Sequence, residues 1–372
     1  MRLVHTADWQ IGKPFVRFGD KAEALRRARL DAVEAVGRLA VAEGAAHVLV
    51  AGDIYDSDTP ANVTLRAPIE RMRGFSTVTW HLLPGNHDAH RPGGPWERLA
   101  GLGLPANVRV HLGAEPVALA PDAVLLPAPL TSRAETRDLT ARMDDTTTPP
   151  GALRIGLAHG AVTRFGVAAD EGEATNQIDP GRAEKAGLDY LALGDWHRTR
   201  EIGPRTWYAG TPEPDRHDSQ PVGTALLVDL PRAGAQPVVT PHAVGTFRWA
   251  SEAVELADAM PLAGHEAALL RTHAPLSRLV LKLAVGGMLS IAARRALDEW
   301  LERLQAAVFH LDAALTLAVR PDPADLEAID FDGVLRRVAE SLKERAADPA
   351  LSAAERQVAE DALLTLYLDA TA

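Results

Sequence analysis

The chain has 372 residues, 47% of them hydrophobic. That length calls for two or three units, and that apolar share supports buried cores and excludes wholesale disorder. There is no cysteine, which excludes disulfides, thiolate metal sites and cysteine nucleophiles and fits a reducing cytoplasm, while the formal net charge of −11 argues against a broad basic surface for nucleic acid.

The chain opens MRLVHTADWQ, where His5, Thr6 and Asp8 interrupt any signal-peptide core, and no apolar run approaches the ~18 residues that span a bilayer. The expectation is a soluble cytoplasmic protein with no membrane partner. Arg2–Thr6 reads as a short strand ending at Asp8. Residues 20–43 carry a helical pattern with Leu25, Val33, Val36, Leu39 and Ala40 on one side. Ala46–Ala51 reads as a buried strand ending in Gly52-Asp53, Asn62–Arg73 as a helix, and Thr77–Leu83 as a strand ending in Pro84-Gly85-Asn86. Apolar runs follow at 108–112 and 123–126. Leu153–Ala158 is a predicted strand ending at His159, and Tyr190–Leu193 another ending in Gly194-Asp195. Between them, Asp179-Pro180 has the signature of a helix start, an N-cap followed by proline at the first turn.

Residues 141–151 read as a loop, as do 164–177, an acidic glycine-containing stretch with the character of a flap. After about residue 245 the character changes: a strand at Arg278–Val285, an amphipathic helix at Leu289–Val308, a strand at Phe309–Val319, then helices over 334–346 and 352–368. The alternation of strands and helices predicts an α/β layered core. The polar residues gather just past the carboxyl ends of the strands, where open α/β sheets place their ligands.

Five short motifs sit at those strand ends: Asp8-Trp9-Gln10; Gly52-Asp53-Ile54-Tyr55-Asp56; Gly85-Asn86-His87-Asp88; His159-Gly160; and Gly194-Asp195-Trp196-His197. They offer carboxylate, amide and imidazole donors without thiolate, a set suited to Mn²⁺, Fe²⁺ or Zn²⁺. A carboxylate shared between two ions ~3.5–4 Å apart would make a centre for phosphoester hydrolysis. Taken singly, each residue has a structural alternative: Asp8 as a helix cap, Asn86 as a turn residue, His159 as a satisfied core histidine, Asp56 and Asp88 as solvated loop charges. Five motifs in this order are far more specific than any one of them.

The set resembles the calcineurin-like metallophosphoesterases, whose pattern is D-x-H, GD-x-x-D, GNH(D/E), H and GH-x-H. HTADWQIGKPF and YAGTPEPDRH further resemble the SbcD family of bacterial DNA repair exonucleases, the likeness covering about residues 1–245. It implies a two-sheet α/β (α+β) sandwich with flanking helices over 1–245, a small α/β capping domain over 246–325, and a helical segment over 326–372 that binds an SMC-like, SbcC-type ATPase. It also implies a homodimer, DNA as substrate, and hydrolysis of the phosphodiester by metal-activated water.

Carried over residue by residue, Asp53 would bridge two divalent ions, Asp8 and His197 would bind the first, and Asn86 and His159 the second. His87 would protonate the leaving oxygen or stabilise the transition state, with Asp56 orienting it through a hydrogen bond. Two positions depart from the pattern: Gln10 and Asp195 stand where the family has histidines. As ligands they replace imidazole by oxygen, which hardens the site and favours Mn²⁺ over Zn²⁺. Trp9 and Trp196 are candidates for stacking on a base, a contact worth ~1–3 kcal/mol, with packing of the site walls as the alternative. Lys13, Arg17 and Arg198, with Arg91 and Arg200, are candidate phosphate contacts. The departures keep two other classes open, a phosphoesterase for small molecules and a non-catalytic DNA-end or ATPase-binding subunit.

Overall fold

The computed structural model describes residues 1–162, 175–257, 262–319 and 333–371. The expected flap at 164–177 falls mostly outside the described residues, as does the start of the 326–372 segment. The chain divides into two compact units, Met1–Trp249 and Ala250–Ala372.

The N-terminal unit is an α/β sandwich of two mixed sheets with helices outside them. Its first sheet is built on β1 (Arg2–Thr6), β2 (His47–Val50), β3 (Thr79–Leu82) and β4 (Val108–Val110), parallel to one another in that order. Helices α1 (Ala22–Ala42), α2 (Asn62–Arg73) and α3 (Pro95–Leu102) connect them. The second sheet holds β5 (Val117–Ala120), β6 (Ala123–Ala128), β7 (Leu153–His159), β10 (Tyr190–Gly194), β11 (Arg200–Gly203) and β12 (Thr206–Tyr208), in the order β11-β12-β10-β7-β6-β5. One-turn helices α4 (Arg142–Asp145) and α5 (Arg182–Lys185) flank it, and β8 (Ala161–Val162) pairs with β9 (Gln177–Ile178). Strand β13 (Val222–Asp229) returns antiparallel to β1, with Leu3 opposite Val228, and β14 (Val238–Ala257) pairs antiparallel to β13.

The period-2 alternation of strands decides the layering. Along β1 and β2, Val4, Val48 and Val50 face the helices and pack with Val33, Val36, Leu65 and Ile69. Leu3 and Leu49 face the other way and meet Leu125, Ile155, Leu157, Tyr190 and Leu226 between the sheets. On β10, Tyr190 and Ala192 face that shared core, while Leu191 and Leu193 pack outward with Met143, Ala183 and Leu188. Each sheet is therefore apolar on both faces, as parallel strands between two layers require.

One local reading is corrected. Asp179 does not cap α5; Gly181 does, and the Asp179 carboxylate instead accepts the Gly181 amide at 2.8 Å in the preceding turn. The change of character expected near residue 245 falls inside β14, which runs on to Ala257, and the compact units part at Trp249.

In the C-terminal unit, β15 (Leu279–Leu289) and β16 (His310–Val319) pair in parallel around the crossover helix α7 (Ile291–Ala307), which Ser290 caps through the Ala293 amide. Leu281, Leu283, Leu297, Trp300 and Leu304 form its core, with the preceding helix α6 (Leu262–His273) adding Leu269. Helices α8 (Val334–Ala347) and α9 (Ala353–Thr371) pack on each other and leave Val334, Leu335, Val338 and Val358 exposed. No described helix is long and apolar enough to cross a membrane.

Candidate metal centre

The five motifs follow the carboxyl ends of β1, β2, β3, β7 and β10, so both sheets deliver them to one end of the N-terminal unit. Four of the six non-glycine residues with positive φ among the described residues lie in these motifs: Asp8 (55°), Gln10 (43°), Asp53 (53°) and Asp195 (105°). Left-handed backbone at such residues costs on the order of 1–3 kcal/mol each and persists where neighbours hold it. Here the Asp8 amide donates to the Gly52 carbonyl at 3.1 Å, and that of Gln10 to the Asp53 carbonyl at 2.9 Å. Close approach demands glycine at two points. A Cβ on Gly85 would lie 2.2 Å from Asp53 Oδ1, and one on Gly194 would lie 1.9 Å from the Ala51 carbonyl oxygen.

Asp8, Asp53 and His159 each direct a ligand atom to a common point, the three atoms lying within 4.8 Å of one another, and all three residues are buried. His159 Nδ1 donates to the Ala51 carbonyl at 2.8 Å, which fixes the tautomer and leaves the Nε2 lone pair for a ligand. That Nε2 is buried without a hydrogen-bond partner, 3.5 Å from Asp53 Oδ1 and 3.7 Å from Asp195 Oδ1. Asn86 Oδ1 is likewise buried and unpartnered. Its neighbour His87 donates its amide to Asp53 Oδ1 at 2.9 Å, so the Asn86 loop is tied to the same carboxylate. The Asp195 amide reaches the Asp8 carboxylate at 3.1 Å.

The charges are crowded. Burial raises Asp8 to about 6, with Asp53 and Asp195 adding to the rise against the pull of the histidines, and burial also raises Asp195. Burial alone would lower His159, but Asp53, Asp8 and Asp195 outweigh it and raise the imidazole to about 9. Carboxylates that hold a proton this firmly on a buried ring will also draw in a cation. Buried oxygen and imidazole donors without partners, among excess negative charge, fit a divalent ion on this side of the centre.

The His197 side is built differently. His197 Nδ1 faces Asp215 Oδ1 at 3.6 Å, and its Nε2 is 3.3 Å from Gln10 Nε2. Gln10 Oε1 accepts from Lys13 Nζ at 3.0 Å, so the amide oxygen is directed to an ammonium. Lys13 also pairs with Asp215 Oδ2 at 2.6 Å and lies 3.8 Å from Asp56 Oδ1. Buried Arg29, from α1, donates to the Trp9 carbonyl at 2.5 Å and stands 3.2 Å from Asp215 Oδ2. Burial would raise Asp215, but His197, Arg29 and Lys13 hold its carboxyl well below the usual range.

His87 Nδ1 donates to the backbone carbonyl of Asp56 at 3.0 Å, so it is the Asp56 main chain, not its carboxylate, that fixes the ring. Trp9 is wholly buried, its indole donating to Thr6 Oγ1 at 3.0 Å and meeting Trp80 edge to face, and it presents no face to a base. Trp196 is half-buried under the Arg200 guanidinium, whose carbon is 5.9 Å from the ring centre. Arg17 is exposed and lies over Phe18 and Trp249; Arg198, also exposed, donates to the Asp218 carbonyl at 2.6 Å; Arg91 pairs with Asp58 at 2.7 Å.

Sequence reasoning assigned no role to Arg29, Asp88, Thr211, Glu213 or Asp215. Asp88 is fully buried and accepts the amides of Ile54, Tyr55 and Gly85 at 2.9, 3.0 and 2.7 Å, stapling the second motif to the third. Thr211 donates to the Asp8 carbonyl at 3.0 Å, and Glu213 accepts the Thr246 and Phe247 amides at 2.6 and 2.9 Å. The available signal was the YAGTPEPDRH stretch itself, three of whose polar residues turn out to brace the centre or the loops beside it.

Residues 1–167 match the family model described as calcineurin-like phosphoesterase. No curated protein matches the chain. Among solved structures, TT1561 of Thermus thermophilus is 15% identical with a TM-score of 0.41, the alignment covering 65% of this chain and 98% of that one. The family's chemistry is metal-dependent phosphoester hydrolysis, and the converging Asp8, Asp53 and His159 lie within the matched segment. The likeness to the calcineurin-like phosphoesterases thus covers residues 1–167, which hold Asp8, Asp53 and His159.

Proposed function

We propose that the chain is a metal-dependent DNA phosphodiesterase of the SbcD type, acting with an SMC-like ATPase and using Mn²⁺. The observation that carries the reading is the convergence of Asp8, Asp53 and His159, with the unpartnered Nε2 of His159, at the end of the unit where both sheets deliver their motifs. Asp8, Asp53, His159 and, from the loops after β3 and β10, Asn86 and Asp195 would hold the ion. When bound, it supplies positive charge to the phosphate oxygens and makes water a competent nucleophile near neutral pH. His87 carries the proton step. With Nδ1 committed to the Asp56 carbonyl, its Nε2 is the atom that gives a proton to the departing oxygen.

DNA as substrate is supported by the SbcD-like YAGTPEPDRH stretch, whose Thr211 and Asp215 brace Asp8 and His197. Exposed Arg17 and Arg198 are suited to backbone phosphates. For the partner, the support is the exposed apolar row on α8 and α9, suited to a coiled coil. The capping role of the C-terminal unit and homodimerisation rest on the family likeness. The net charge of −11 favours a second reading, a phosphoesterase for small molecules.

The test is hydrolysis of linear DNA against a nitrophenyl phosphodiester by Mn²⁺-loaded protein. DNA cleavage that disappears in folded Asp53→Ala and His87→Ala is expected. Cleavage retained in both variants overturns the assignment, and hydrolysis of the small diester alone selects the second reading.

A further inference from the structure

We propose that this chain holds one divalent ion, on the Asp8–Asp53–His159 side, and that on the His197 side the ammonium of Lys13 stands in for a second. The inference rests on the metal reading above and concerns how that centre is filled.

The donors on the His197 side are already committed. Besides the carboxylates shared with the other side, a second ion would have His197 Nε2 and Gln10 Oε1 to bind. Gln10 Oε1 accepts from Lys13 at 3.0 Å, and Gln10 turns its NH₂ to His197 Nε2 at 3.3 Å. This amide orientation is dictated by chemistry. An ammonium can only donate, so the amide atom beside it must be the oxygen, and the NH₂ must face the imidazole. A neutral His197 ring with its Nδ1–H turned toward the Asp215 carboxylate, 3.6 Å away, would offer its Nε2 lone pair to that amide N–H. A metal ion binds at about 2.0–2.1 Å from a histidine nitrogen. To do so here it would have to displace the Gln10 amide, which would in turn break the contact with Lys13.

Charge points the same way. Lys13 and Arg29 both pair with the carboxylate of Asp215, and Asp56 lies 3.8 Å from Lys13, so two cations balance two carboxylates on the His197 side. The His159 side has Asp195 and no basic side chain among its named contacts. A dication meets uncompensated acid in one half and acid already paired with basic side chains in the other. The ligand group that converges among the described residues includes His159 and not His197. Gln10, a departure from the family's histidine, is thus part of an internal substitute: a neutral amide that passes the charge of a lysine to the face of His197.

The test is metal counting on the full chain. Purified protein is titrated with Mn²⁺, and the bound ions are counted by calorimetry and elemental analysis. Electron paramagnetic resonance then tells isolated Mn²⁺ from exchange-coupled pairs. The expected result is one equivalent with an uncoupled signal. A second equivalent should bind on the order of 100-fold more weakly, the cost of losing one charge-assisted hydrogen bond. In Gln10→His/Lys13→Met the second equivalent tightens and a coupled signal appears. Two tight, coupled ions in the unaltered chain overturn the proposal while leaving the metal reading intact; no bound ion sinks both. A folded double variant that still takes one ion overturns the part given to Lys13 and Gln10.

Discussion

Replacing Asp88 by alanine tests whether the centre depends on a buried brace. The carboxylate is wholly buried and accepts three main-chain amides, two from the Asp53 loop and one from Gly85. Removing it leaves three buried N–H groups without partners, and each such orphan costs about 1–3 kcal/mol. Burial raises this carboxyl to about 7, with the nearby Asp53 charge adding to the rise, so its own desolvation offsets part of the loss. A net destabilisation of about 3–6 kcal/mol is expected, a large part of the margin of an ordinary domain. Urea unfolding followed by tryptophan fluorescence would read it, beside Mn²⁺ affinity measured under conditions where the variant is folded. Affinity should fall with stability, because the two stapled loops carry Asp53 and Asn86. A loss below about 1 kcal/mol with unchanged affinity would refute the brace.

Acid should destabilise the N-terminal unit through its buried histidines. Burial holds His5 at about 3, His81 at about 2 and His111 at about 4, while the His111 and His47 rings lower His81 further and Arg109 lowers both His81 and His111. The unfolded chain takes up protons below about 6.5 that the folded one refuses, so stability is full above that pH and is lost as pH falls. At pH 5 each such histidine costs about 2 kcal/mol, and His81→Gln should flatten the decline between pH 7 and pH 5 in urea titrations; an unchanged slope counts against it. Chelation should lower the unfolding temperature. Mn²⁺ at about 100 times its dissociation constant adds about 2.7 kcal/mol, so scanning calorimetry with and without EDTA should differ, and coincident traces would mean no ion is held.

Much of this was legible in the chain. Asn62–Arg73 was bounded correctly at both ends, because an extended Ala61 and a terminal Gly74 mark the limits of a clear apolar period. The strand ends were legible because each ran from an apolar stretch straight into a glycine or an acid. The long β14 was not, since Pro241 and Gly245 look like breaks, while the strand runs through both, paired antiparallel with β13 from Val238 to Arg248. Asp88 read as a solvated charge because nothing local shows that three amides converge on it. Asp215 lies in a proline-rich stretch without periodicity, and its partners Lys13 and Arg29 come from the far end of the sequence. Trp9 sits within a metal motif, yet its side chain belongs to the core.

The twisted main chain at Asp8, Asp53 and Asp195 also sets opposing pressures on any laboratory evolution of this protein. Glycine at those positions would relax the dihedral angles and remove mutual repulsion among the acids, making the scaffold hardier. The same exchange would delete the groups that gather the ion. Screening for heat resistance alone would therefore drift toward tough but inert variants, and only a screen that also demands turnover would keep the awkward turns in place.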